Sequence, residues 1–173
     1  MSSSNAHGVP FNGVRVRVQS EKTYDELVAA LLADVGEIPA SIGDFPARAF
    51  DSWERFSAEV TRYIGPDDFM LMHVIDHGQW LKTAGIQRKA LRAIIGNPLI
   101  AITMIRHDLT AGLFAPVELL VVEEDDGRSS LTYVTPSTLM VIEDNPPLRT
   151  AALALDAKLA AFATKVAATA EPA

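Results

Sequence analysis

The chain has 173 residues, a net charge of −7, 49% apolar and 21% charged residues, and no cysteine. These values fit one globular domain with a sizeable core and exclude disulfides, thiolate metal sites and cysteine nucleophiles. The negative balance lacks any large Lys/Arg cluster beyond Arg88, Lys89 and Arg92, so a phosphate backbone would be repelled and nucleic acid is not an expected partner.

Residues 1–10 are rich in Ser and Asn, carry no basic start and no apolar run, and are expected to form a disordered tail, not a signal peptide. Val14, Val16 and Val18 alternate with Arg15, Arg17 and Gln19, the period of a half-buried strand. Thr23 and Glu26 then form a capping box ahead of a helix whose stripe is Tyr24, Leu27, Val28, Leu31 and Val35, with Gly36 expected as its left-handed stop. Residues 37–65 read as an inserted loop and amphipathic helix. The loop holds two prolines and one glycine over 37–46. Phe45, Ala49, Phe50, Trp53, Phe56, Val60 and Ile64 line one helical face, and Gly65-Pro66 ends it. That stripe is either core or a partner surface on helix 46–63.

Residues 69–75 form an apolar strand running into Asp76-His77, where Asp76 can cap a short helix stopped by Gly85. A second buried strand covers 91–96. The following β-branched run over 100–105 could be a strand, but Asn97-Pro98 is a cap and first-turn pair, so a helix is expected. Strands over 117–123 and 129–135 flank an acidic turn and make a hairpin. Asn145-Pro146 opens a long helix with Leu148, Ala152, Leu155, Leu159, Phe162 and Val166 on one stripe; 169–173 is a tail. The order βα(α)βαβαββα predicts a single α+β domain over 11–168, its sheet flanked by helices on one side. No segment reaches the roughly 18 uninterrupted apolar residues of a membrane helix; a cytoplasmic protein with no membrane partner is expected.

His77 is the leading candidate for chemistry. In the first turn of a helix its ring is favoured neutral, able to accept a proton, and Asp76 could orient it; the alternative is that Asp76 caps the helix and His77 makes a structural hydrogen bond. Asn97 caps its helix, yet free amides there could hold a carboxylate or phosphate oxygen, and Gly96 permits close approach. Tyr133 could present its hydroxyl to a ligand on the sheet's concave face. His73 shares no defined face with His77, no His/Asp/Glu pattern supports a metal site, and no cofactor motif occurs. Ligand contact is therefore expected from His77, Gly96, Asn97 and Tyr133.

Over residues 75–140 the chain resembles the domain of unknown function 302 (DUF302) family. The resemblance rests on Asp76-His77 after a strand, Gly85-Ile86, Ile95-Gly96-Asn97-Pro98, the run from Pro116 to Asp125, and Leu131-Thr132-Tyr133-Val134-Thr135-Pro136 after the Gly127 turn. It departs from the family at Ile95, at Ile100 to Thr103, and at Glu118, where the family carries a cation; the family's Arg-His pair after the last strand is missing. The resemblance implies a helix-grip-like antiparallel sheet, a homodimer, and no assigned chemistry. The expected function is a non-catalytic small-molecule-binding or interaction domain, with a modest pocket at the sheet and the Asp76-His77 helix start. The alternatives are a hydrolase or isomerase of a small polar metabolite with His77 as general base, and a partner-binding module using helix 46–63.

Overall fold

The computed structural model describes residues 7–37 and 50–169. The expected tails over 1–6 and 170–173, the loop over 38–46 and the Phe45 and Ala49 end of the amphipathic stripe lie outside the described residues.

Strand β1 (Arg15–Ser20) keeps the predicted alternation at Val16 and Val18, packed against the core with Arg15 and Arg17 outward, whereas Val14 precedes the strand and is exposed. Helix α1 (Tyr24–Asp34) starts at the predicted capping box: the Thr23 amide donates to Glu26 Oε2 at 2.8 Å, and the Glu26 amide donates back to Thr23 Oγ1. Its Leu27 and Leu31 are fully buried.

The helix does not end on a left-handed glycine. Val35 is its extended C-cap, and Gly36 belongs to β2 (Gly36–Glu37), a two-residue edge strand parallel to β3 (Met70–Asp76). The reason Gly is needed there is close approach. A Cβ on Gly36 would lie 1.8 Å from the Tyr63 carbonyl oxygen, and one on Gly65 would lie 2.4 Å from the Gly36 nitrogen. Both glycine amides donate to the Phe69 carbonyl at 2.9 Å, so the two chain segments meet back to back on one acceptor.

Helix α2 is shorter than expected, Trp53–Thr61, capped by Ser52. Its stripe is divided. Val60 is fully buried with Met70 in a satellite cluster that includes Phe56, Tyr63, Ile64, Met72 and Leu99, whereas Trp53 is 47% exposed. Phe56 stacks near both Phe50 and Trp53, with ring centroids 5.2 Å apart in each pair.

Beyond β3 come α3 (Gly78–Leu81), a 3-10 turn closed by Gly85 at φ 80°, and β4 (Ala90–Gly96). The ambiguous segment is a helix, α4 (Pro98–Ile105). Strands β5 (Val117–Glu123) and β6 (Ser129–Val134) form the expected hairpin, followed by α5 (Ser137–Met140) and the 22-residue α6 (Pro146–Ala167).

The sheet is open, in the order β1-β6-β5-β4-β3-β2, and antiparallel at every pairing except β2 with β3. Registered pairs share a face, so Val16, Tyr133, Leu131, Leu119, Val121, Ala93 and Ile95 form an inner face under α1 and α6. All six residues of the predicted α6 stripe are buried, and Phe162 meets Phe69 edge-on at 5.4 Å. The other sheet face carries Ile75, Ile94, Leu120 and Val122, each half-buried, among Arg17, Arg92 and Glu118. No helix among the described residues is long and apolar enough to cross a membrane.

Lys165 joins α6 to Asp34 and Asp67 at 2.8 and 2.7 Å, and Lys158 joins it to Asp68 at 2.6 Å. These bridges are exposed and contribute little singly; they hold the Asp67-Asp68 turn, where Asp68 sits at φ 64°.

The glycine crossing gives a direct test. Gly36→Ala must displace backbone and should lower stability by about 2–4 kcal/mol in urea unfolding. Gly112→Ala, whose Cβ would meet nothing closer than 3.7 Å, should stay within about 0.5 kcal/mol of the parent. Equal, small effects at both positions would contradict the crossing.

Candidate functional site

At the C-terminal end of β4 the chain turns directly into α4, and Asn97 makes that turn rigid. Its Oδ1 accepts the Leu99 amide at 2.8 Å and its Nδ2 donates to the Asp68 carbonyl at 2.9 Å. The Ile100 and Ala101 amides both donate to the Asn97 carbonyl, and Pro98 has no amide to offer. The start of α4 therefore holds no free donor for the carboxylate or phosphate oxygen that the sequence suggested; its own cap has satisfied it.

Gly96 acts through proximity. A Cβ there would stand 2.9 Å from Pro116 Cβ, so glycine lets the end of β4 close against the segment entering β5. The Ala115-Pro116 peptide in that segment is cis.

Beside this close approach lies an apolar cavity of about 270 Å³. Its walls come from β3 (Met70, Met72), β4 (Ile95, Gly96), α4 (Ile100, Ala101, Met104), the entry to β5 (Ala115, Pro116, Val117), α2 (Phe56) and α6 (Leu155). Among the described residues Asn97 is the one polar side chain in the lining, and both of its ends are engaged. Such a space is unfavourable for water, which needs two to four polar partners, and favourable for apolar atoms. Three methionine thioethers in the wall, from Met70, Met72 and Met104, supply a deformable and polarisable lining.

Of the residues expected to contact a ligand, the structure brings together Gly96 and Asn97 and leaves His77 and Tyr133 elsewhere. The His77 amide donates to the Ala90 carbonyl at the opposite end of β4 from Gly96, a strand length of about 20 Å away. Asp76 does not orient the His77 ring. Its Oδ1 accepts the Gly78 amide at 2.8 Å, the capping role the sequence also allowed.

The His77 ring lies edge-on to Trp80 at 5.8 Å, and its Nδ1 is buried with no hydrogen-bond partner among the described residues. Tyr133 is 5% exposed on the inner sheet face, in register with Val16 and under α6. Burial, and then the charge of Asp156, push its hydroxyl pKa upward, so it stays a neutral phenol. Neither residue lines the cavity. The cavity thus holds no proton-transfer pair, and among the described residues no cluster of His, Asp or Glu could hold a metal ion.

Sequence reasoning missed most of the wall. Phe56, Met72, Met104, Ala115 and Leu155 sit on five separate segments, each at a position that reads as ordinary core. The legible signal was the small residue pair Gly96 and Ala101 flanking a cap, which marks a place where elements approach closely without filling the space between them.

No curated protein matches the chain. A crystal structure of an uncharacterized conserved protein DUF302 from Bacillus stearothermophilus has a similar fold, with a TM-score of 0.61 at 18% identity, over 88% of this chain and 97% of that one. Residues 47–166 match the family described as domain of unknown function DUF302. The match takes in the helix α2 segment, β3, the Asn97 cap, the cavity walls and nearly all of α6, and the chain belongs to the DUF302 family.

Proposed function

We propose that this chain is a small-molecule-binding domain without catalytic function, and that its occupant sits in the apolar cavity between β4, α4 and the Pro116 turn. The observation that carries the reading is a lining whose one polar side chain among the described residues, Asn97, has its Oδ1 and its Nδ2 each engaged within the fold. A cavity of this kind favours an apolar occupant; one of ~150 Å³ is enough for benzene. The general-base alternative draws no support from the geometry, because Asp76 is committed to Gly78 and His77 lies a strand away from the cavity.

Toluene, followed by amide and methyl NMR, is a direct probe. Saturable shifts at Ile95, Ala101 and Met104 with a Kd on the order of 0.1–1 mM are expected. Ala101→Leu should fill the space and abolish them, and His77→Ala should leave them intact. Shifts that survive Ala101→Leu but vanish in His77→Ala would move the site to α3 and reject the cavity.

The homodimer implied by the family resemblance belongs to the same proposal. Its support is the sheet face that no described helix covers, where Ile75, Ile94, Leu120 and Val122 are half-buried on β3, β4 and β5 around the Arg92–Glu118 ion pair. Apolar side chains grouped with charge on one face suit association of two copies. Light scattering should give twice the chain mass for the parent and the single-chain mass for Leu120→Lys. A parent that is monomeric at all concentrations would dismiss this face as the interface.

A further inference from the structure

The apolar cavity shares two of its wall residues, Ile100 and Leu155, with an open groove of about 670 Å³ between α4 and α6. The groove is chemically different. Its rim carries Arg106, His107 and Lys158, and among the described residues no carboxylate lines it. Lys158 is engaged with Asp68 at 2.6 Å. Arg106 is exposed and its Nε donates to the Ile102 carbonyl of its own helix at 3.1 Å, but its terminal nitrogens have no ion-pair partner among the described residues. The terminal guanidinium donors of Arg106 therefore stand at the groove beside an apolar cavity, in a chain whose net charge is −7.

We infer that the cavity and the groove are two halves of one site for a small amphipathic monoanion, a carboxylate with an apolar tail. This rests on the cavity-binding reading and adds the head group. The tail passes between Ile100 and Leu155 into the cavity, and the carboxylate meets the Arg106 fork, a bidentate match of planar groups. The satisfied start of α4 turns no free amide toward the cavity, so Arg106, the C-cap of the same helix, is the group left to hold the anion, its full charge outweighing the negative end of the helix dipole. At about 270 Å³ the cavity is just below the range of drug-sized sites, so the tail is short.

The test uses octanoate, 1-octanol and acetate with the full chain, read by calorimetry and by the NMR shifts of Ala101 and Met104. Octanoate should bind at least about tenfold more tightly than octanol, the difference that one charge-assisted hydrogen-bonded pair makes. Arg106→Gln should remove that difference while leaving octanol unchanged, and Arg106→Lys should restore part of it. Acetate should not bind measurably. Equal affinity for octanoate and octanol, insensitive to Arg106→Gln, would overturn the anionic head group and leave the cavity reading standing. Failure of both eight-carbon probes to shift Ala101 or Met104 would overturn the two together.

Discussion

Everything in this fold depends on α6 lying along the inner face of the sheet. Its stripe of Leu148, Ala152, Leu155, Leu159, Phe162 and Val166 is buried throughout, and the helix packs on β1 and β6 and against α1, α4 and α5. Burial of large apolar side chains is the main stabilising term, roughly 1.5–3 kcal/mol for each one. The alanines between these large residues bring the helix close to the strands. The same face then fixes everything else by contact: α1 beside it, α4 across one end, and the Asp67-Asp68 turn tied to Lys165 and Lys158.

That constraint also explains why a cavity exists where it does. Leu155 closes the cavity from the α6 side, and the walls opposite are small, at Gly96, Ala101 and Ala115. Close packing is the norm in protein interiors, so an apolar space walled by side chains from six elements marks a place where the fold is held open. What holds it open is backbone: the Asn97 cap bridges Leu99 and Asp68, and Pro116 lies against Gly96. Phe56 of α2 and Met72, at the bulge of β3 between Leu71 and His73, complete the wall.

The elements were largely legible from local chemistry. The Thr23 and Glu26 box, the Asn97-Pro98 and Asn145-Pro146 starts and the two-residue alternation of β1 each have one physical reading, and each forms as that reading requires. Gly36 was misread because a glycine after a helix has two uses. Here close approach to Tyr63 and Gly65 decides, and that contact joins residues far apart in the chain. The site was legible only in part for the same reason. Gly96 and Asn97 announce themselves through a turn, but Met104, Pro116 and Leu155 become wall residues only after three elements have packed. His77 and Asp76 drew notice as titratable neighbours, yet an Asp beside a helix start is equally suited to capping, and the Gly78 amide is the nearer partner.

The most direct measurement is diffraction from crystals held under xenon pressure. Xenon enters dry apolar space and avoids polar, hydrated pockets. The account predicts a xenon atom bounded by Ile95, Ala101, Met104 and Pro116, with the Asn97 hydrogen bonds unchanged. A cavity closed by Phe56 and Met72 with no xenon in it, or one filled by ordered water, would contradict it.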